Sequence, residues 1–264
     1  MTPSKNANIE FNCFSFKLLG GDVLKKMRYL IAVILPKLIK RVPEPVKNVA
    51  KRMGLNRIYD MFFDKYSSEL TFQTRWAKAY NGKSGQLEKD LLSFWKQYRC
   101  LDKITESCDI GDNSLVLDVG CGIATVLHIL KGKRFGIDPL AEEYLKMYKY
   151  PAGITVVKGG GEKIPFPDKY FDFVFCSNVL DHVSVPSSTV GEIHRVLRCG
   201  GSFILVVEVF GGSVIRDPAH PHSLTRKDVK MLVAEGFEVV HEELVPWHSD
   251  IPGEEGFVAV LRKV

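Results

Sequence analysis

Residues 115–122 read Leu-Val-Leu-Asp-Val-Gly-Cys-Gly, an apolar run that ends on a carboxylate and passes at once into two closely spaced glycines. Such a run suits a buried strand, and the glycines allow a sharp turn and a close approach of ligand to backbone. A second acid, Asp138, closes the next strand in Gly136-Ile137-Asp138-Pro139, 20 residues beyond Asp118. Carboxylates at strand ends of a parallel sheet face the ligand crevice, and one in Asp138's place accepts the hydrogen bonds of a ribose diol.

From Ser114 onward, short β-rich runs alternate with helical patterns, which is the signature of a doubly wound α/β sheet. Strands are expected at about 114–119, 134–138, 153–157, 172–177, 201–208, 237–243 and 256–262. Helices are expected near 123–131, 140–148, 187–197 and 223–235. The last two strands are joined by a segment with Pro246, Pro252 and Gly253 and no helical pattern, so they should form an antiparallel hairpin. The fold class expected is a Rossmann-like, seven-stranded and mostly parallel sheet with an antiparallel C-terminal hairpin and a helical N-terminal extension. Residues 46–112 look mostly helical, Gln86 to Tyr98 most clearly, with Trp76, Tyr80, Leu87, Leu91, Phe94, Trp95 and Tyr98 at helical spacing. The division read from these patterns is a basic extension over 1–57, a helical cap over the active site at 58–112 and a catalytic core at 113–264.

Two ligand classes compete for the glycine loop. A dinucleotide needs G-x-G-x-x-G with its pyrophosphate on the helix N-terminus, but Thr125 stands at the third small position and Asp118 would face the phosphates. S-adenosylmethionine carries an ammonium and a sulfonium, which a nearby carboxylate attracts. A nicotinamide-dependent oxidoreductase is therefore the weaker reading, and the sulfonium cofactor the stronger.

Leu117-Asp118-Val119-Gly120-Cys121-Gly122 resembles the first motif of class I S-adenosylmethionine-dependent methyltransferases. Later blocks resemble the small-molecule branch that includes the ubiquinone/menaquinone methyltransferases: Gly161-Glu162-Lys163-Ile164-Pro165-Phe166-Pro167-Asp168, Phe171-Asp172-Phe173-Val174, Ser177-Asn178-Val179-Leu180-Asp181-His182-Val183, and Glu192 through Gly201. The resemblance covers roughly residues 114–208, in order. It implies that Asp118, Gly120 and Gly122 hold the methionine end, Asp138 the ribose, Gly161 and Glu162 the adenine edge, and Asn178 the cofactor's inner side. Gly160 stands where the family carries an acid, Cys199 where it carries proline and Ala124 where it often has a third glycine.

Methyl transfer from a sulfonium is an in-line displacement in which positioning alone can lower the barrier by about 7–11 kcal/mol. A hydroxyl acceptor also benefits from a base, and histidine titrates in the right range. His182 follows the fourth strand, while His220 and His222 follow the fifth in Asp217-Pro218-Ala219-His220-Pro221-His222, so these three are the candidate bases. Asp172 should shape the turn into the fourth strand and His194 should lie on a helix surface, neither with a catalytic role. The cysteines, six in all, show no C-x-x-C spacing, and two histidines with one carboxylate make a thin metal site, so no metal is expected.

The acceptor is expected to be a small molecule, lipid-linked, glycan-like or a secondary metabolite, methylated on oxygen. A nucleic-acid acceptor is disfavoured. Cys176-Ser177-Asn178-Val179 is neither the Asn/Asp-Pro-Pro-aromatic type of adenine enzymes nor the Pro-Cys type of cytosine C5 enzymes. The basic charge also sits in the wrong place: residues 1–57 hold 12 Lys+Arg against 3 Asp+Glu, leaving 24 against 28 for the remainder. A protein that keeps the fold and binds the cofactor without turnover is the alternative from a different class. The N-terminal run Tyr29-Leu30-Ile31-Ala32-Val33-Ile34-Leu35, closed by Pro36, falls short of the roughly 20 apolar residues of a spanning helix. It reads either as a helix packed on the core or as part of a basic interfacial element, residues 22–57, resting on an anionic membrane. Scattered thiols and the absence of a secretory cleavage pattern fit a cytoplasmic protein, peripheral at most to the inner face of a membrane.

Overall fold

The computed structural model describes residues 65–211, 220–247 and 254–264. The basic segment 1–57 and its apolar run lie outside the described residues, as do Asp217, Pro218 and Ala219. Three helices come first: α1 (Lys65–Tyr80), α2 (Ser84–Tyr98) and α3 (Leu101–Ser107). The alternating part follows as β1 (Leu115–Val119), a 3-10 turn (Val126–His128), β2 (Lys133–Asp138), α4 (Ala141–Met147), β3 (Ile154–Lys158) and β4 (Phe171–Ser177). It continues through α5 (Pro186–Val196), β5 (Leu197–Phe210), α6 (Arg226–Val233), β6 (Phe237–Pro246) and β7 (Glu254–Lys263).

The strands form one seven-stranded sheet in the order β3-β2-β1-β4-β5-β7-β6. The pairs from β3 to β5 are parallel, while β7 runs antiparallel to both β5 and β6. The expected Rossmann-like sheet and its antiparallel hairpin are therefore present, with β7 inserted between β5 and β6. The chain leaves β1 toward β2 on one side and returns to β4 on the other, so the switch point lies at the C-terminal ends of β1 and β4, where ligands of such sheets bind.

Central strands buried on both faces should read as nearly unbroken apolar runs. Phe203 to Val207 does so, and successive residues serve opposite layers. Val116, Phe175, Ile204, Val206 and Val258 face Trp76, Leu87, Leu91, Trp95 and Ile104 of α1 to α3. Leu117, Val174, Phe203, Leu205 and Phe257 face Val190, Ile193 and Val196 of α5 and Val229 and Val233 of α6. Each such buried aliphatic or aromatic side chain contributes about 1.5–3 kcal/mol. Trp95 meets Phe175 edge to face with ring centroids 6.0 Å apart. Leu87, Leu91 and Trp95 recur every fourth residue, which puts one stripe of α2 against the sheet. Pro186 sits in the first turn of α5, where its missing N–H costs nothing, and a reciprocal Thr225–Asp228 capping box starts α6.

One element departs from expectation. In place of a helix over 123–131 there is only the 3-10 turn Val126–His128. Thr125 is extended, with φ −67° and ψ 146°, and its side chain accepts from Leu127 N, so helical geometry begins only after it. His128 then bonds through Nε2 to the Ile123 carbonyl at 3.0 Å, and the chain must reach β2 by Lys133. Leu127 and Val126 pack into the same core as α2, which fills the layer that a longer helix would have occupied.

Candidate active site

Asp118 is buried at the end of β1, with 4% of its surface exposed. Its Oδ2 accepts from Thr125 Oγ1 at 2.6 Å. Desolvation raises the carboxyl to about 7, opposed by the Thr125 hydrogen bond and helped by the nearby charge of Asp138. Gly120 N and Cys121 N both donate to Ile137 O, at 2.8 and 3.1 Å, which folds the glycine loop against β2. Gly120 has φ +69°, and a Cβ there would lie 2.4 Å from Val179 Cγ2, so the position demands glycine on two counts. Gly122 has φ +54°.

Asp138 ends β2 and is also buried; its Oδ1 accepts from Leu140 N at 2.9 Å and its Oδ2 from Gly122 N at 3.2 Å. Burial raises this carboxyl too, more than its backbone hydrogen bonds lower it. The glycine loop thus lies between two desolvated carboxyls. Asn178, just past β4, adopts φ +57°, a left-handed conformation asparagine tolerates well, and its N–H donates to Val206 O at 2.8 Å. Gly161 is packed against Thr189, whose Cγ2 would lie 2.7 Å from an added Cβ. Glu162 is exposed, and its Oε1 accepts from Ser184 N and Val185 N at 2.8 Å each. That carboxylate therefore ties the loop after β3 to the start of α5.

Residues from outside these motifs pack against the glycine loop. Gln73 of α1 is 6% exposed, and its Oε1 accepts from Ile123 N at 2.8 Å. Its Nε2 donates to Glu69 Oε1 at 2.7 Å. Tyr150 donates its hydroxyl to Gly122 O at 2.8 Å. Enclosure raises the Glu69 carboxyl, while Gln73 and the neighbouring His182 and His220 act in the opposite sense. The sequence did carry one signal for the Gln73 contact. Residues 69, 73, 76, 77 and 80 share one helical face, and Trp76, Ala77 and Tyr80 are buried on it, so a polar pair on that face needed a buried partner.

The structure brings two of the three candidate histidines together. His182 and His220 have ring centroids 4.2 Å apart, and His182 Nε2 lies 3.9 Å from Oδ2 of the fully buried Asp181. One ligand atom from each of Asp181, His182 and His220 falls within 4.8 Å of the others. His222 is turned elsewhere: its Nε2 bonds to the carbonyls of Val183 and Ser184 at 2.9 and 3.2 Å, so that nitrogen carries the proton. Its backbone N–H donates to Asp181 O at 3.4 Å. His222 is therefore an anchor between the loops after β4 and β5. The metal-ligand spacing absent from the sequence is assembled here by two loops about 40 residues apart.

Asp172 joins strands at the entry to β4 as expected, whereas His194 departs from the helix surface expected for it. Asp172 Oδ2 accepts from Leu115 N at 2.8 Å and its Oδ1 meets Arg198 at 2.6 Å, joining β4 to β1. His194 is half-buried rather than on an open surface, with its ring edge-on to Phe237 at 5.3 Å. At the C-terminal end of α2, buried Arg99 lies over Trp247 at 4.0 Å and Phe94 at 4.7 Å, and desolvation lowers its guanidinium to about 9 against the opposing charge of Glu208. Among the described residues, no helix is long and apolar enough to cross a membrane.

Residues 117–205 match the family described as "Methyltransferase domain". Among curated proteins, the chain is 25% identical over 183 residues to the sterol 24-C-methyltransferase of Kluyveromyces lactis, covering 56% of this chain and 49% of that one. It is 32% identical over 113 residues to an uncharacterized Methanocaldococcus jannaschii protein, covering 42% and 44% of the two chains. The chain spans about half the length of the curated relatives it matches. A solved Bacillus halodurans structure assigned as a methyltransferase shares the fold with a TM-score of 0.52 at 21% identity, over 62% of this chain and 98% of that one. The stretch that matches the methyltransferase-domain family, residues 117–205, takes in the glycine loop, Asp118, Asp138, Asn178 and Asp181.

Proposed function

We propose that the protein transfers the methyl group of S-adenosylmethionine to an oxygen of a small molecule. The observation that carries this reading is the pair of buried carboxyls, Asp118 and Asp138, on either side of the glycine loop. A cationic ligand offsets the cost of ionising them there, whereas a pyrophosphate would add to it. In this reading Asp118, Gly120 and Gly122 hold the methionine end and Asp138 the ribose. Gly161, Glu162 and Asn178 line the remaining length, and α1 closes the crevice through Gln73. The acceptor oxygen attacks the methyl carbon, the carbon–sulfur bond breaks toward sulfur, and the cofactor leaves as a neutral thioether. The acceptor's proton is released beside His182, past the C-terminal end of β4, and His220, past that of β5.

Three observations bear on the acceptor. The blocks at 161–168 and 177–183 resemble the quinone-methylating branch, several curated relatives are named sterol 24-C-methyltransferases, and the basic, apolar segment at 22–57 suits an anionic surface. All three support an acceptor with a lipid portion over a nucleic acid. The test has two parts. Calorimetry should show binding of S-adenosylmethionine and its demethylated product; no binding of either would end the proposal. With a lipid-linked hydroxyl acceptor, His182→Ala and His220→Ala should each lower kcat by about 10²–10⁴. Cofactor binding without methyl transfer to any acceptor would instead favour a non-catalytic binding protein.

A further inference from the structure

Asp181, His182 and His220 meet where the loops after β4 and β5 come together. We propose that these three side chains bind a single divalent transition-metal ion beside the crevice. Two imidazoles with one carboxylate are a donor set of borderline softness, which favours zinc, iron(II) or cobalt(II) over magnesium or calcium. Three protein ligands are also what a working metal site uses when it leaves a position open for a reacting oxygen.

The geometry comes close to what such an ion needs. Bonds of about 2.0–2.1 Å place ligand atoms roughly 3–4 Å apart, and here all three lie within 4.8 Å of one another. Both imidazoles are half-buried and belong to loops, so rotation about their side-chain bonds closes the remaining gap. Asp181 is held more firmly: it is 0% exposed, and its backbone carbonyl accepts from His222 N. A dication beside it offsets the desolvation of its carboxylate. Glu69 of α1 lies within electrostatic reach of both rings, so the helix that touches the glycine loop also brings an acid to the cluster. Val179 seats against Gly120, which ties the loop carrying Asp181 and His182 to the cofactor loop.

Ion binding stands on these contacts alone; the ion's task rests on the methyl-transfer reading. A bound dication would lower the pKa of a hydroxyl placed on its open position, so that its proton passes to solvent water and the acceptor reaches the sulfonium as an alkoxide or phenolate. The imidazoles would then act as ligands and not as bases. The substrate class that fits is a phenol, or a hydroxyl with a second oxygen able to chelate the same ion.

The experiment titrates the full chain, stripped with chelator and free of S-adenosylmethionine, with cobalt(II) and then zinc(II). The expected result is one equivalent of cobalt, a visible d–d spectrum without a sulfur-to-metal charge-transfer band, and displacement by zinc. His220→Gln and His182→Gln should each weaken cobalt binding by more than the ten- to hundredfold lost with an outer-shell partner. His241→Gln, whose ring lies against Glu243 on β6, should bind as the wild type does. Because Asp181 is fully buried, Asp181→Asn is scored only after its thermal unfolding matches that of the parent. Absence of the one-equivalent band, a thiolate band, or unchanged affinity in both His182→Gln and His220→Gln would overturn the proposal. Cofactor binding by the metal-free protein is measured separately, so failure of the metal site leaves the methyl-transfer reading standing.

Discussion

At the carboxylate end of the crevice, backbone does most of the positioning: Gly120 and Gly122 sit at positive φ, and Asp118 and Asp138 are buried and bonded to neighbouring groups. At the histidine end, side chains do it: His182 and His220 are half-buried, on different loops, and near each other only because the sheet brings those loops together. The first end is rigid and tolerates little change. The second, held by side chains on two loops, has more room to adjust. On the proposed reading, cofactor recognition and choice of acceptor would be handled by different physical means.

The sharpest way to break this contrast is Gly120→Ala. Forcing an alanine to positive φ costs about 1–2 kcal/mol, and its Cβ would also press on Val179 at 2.4 Å. Binding of the demethylated cofactor by calorimetry should fall by more than a hundredfold, with a drop in urea midpoint; near-normal binding would mean the loop is not the rigid element described.

Asp118→Asn sharpens the same end. The folded-state carboxyl lies near 7, above the ~3.9 of an unfolded aspartate, so the folded chain holds the proton more tightly between those values. Stability from this group is fully present below the lower value and is lost as pH rises through the upper one. The asparagine variant should flatten that slope and gain at most on the order of 4 kcal/mol above it. Wild-type affinity for S-adenosylmethionine should rise as pH passes 7, because the bound cation favours the ionised carboxylate. The variant should bind at least tenfold more weakly, with no such dependence, as followed by calorimetry across pH.

His222→Ala probes the adaptable end and should have the smallest effect. It removes the bonds to Val183 and Ser184, worth about 0.5–1.5 kcal/mol in stability. kcat/KM should fall by less than tenfold; a loss as large as that of His182→Ala would place His222 in the chemistry and erase the distinction drawn above.

The same contrast explains what could be read without coordinates. The glycine loop, Asp118 and Asp138 lie within 21 consecutive residues, and strand ends in a parallel sheet have one fate, so their placement followed from pattern. The strands were legible because Phe203 to Val207 and Phe173 to Cys176 are apolar runs buried on both faces. The helix after the glycine loop was not, since a single extended residue, Thr125, committed to Asp118 and Leu127, overrides the helical pattern around it. Gln73 and Asp181 were missed for another reason. Each meets a partner far along the chain, Gln73 at Ile123 and Asp181 near His220; the helical face of Gln73 signals that it needs a buried partner, but local periodicity does not say which one. His222 looked equivalent to His220 because two positions in a loop carry no orientation until their carbonyl partners are known.

The insertion of β7 has a consequence for how the sheet is completed. β6 is made before β7, yet among the described residues it pairs with no strand but β7, and the outer edge of β5 is covered only by residues 254–263. Until that last strand arrives, β5 presents an apolar, unpaired edge of the kind that seeds aggregation. The closing segment is thus a zipper between two already made parts. Loss of residues 254–263 would open the middle of the sheet rather than trim its margin.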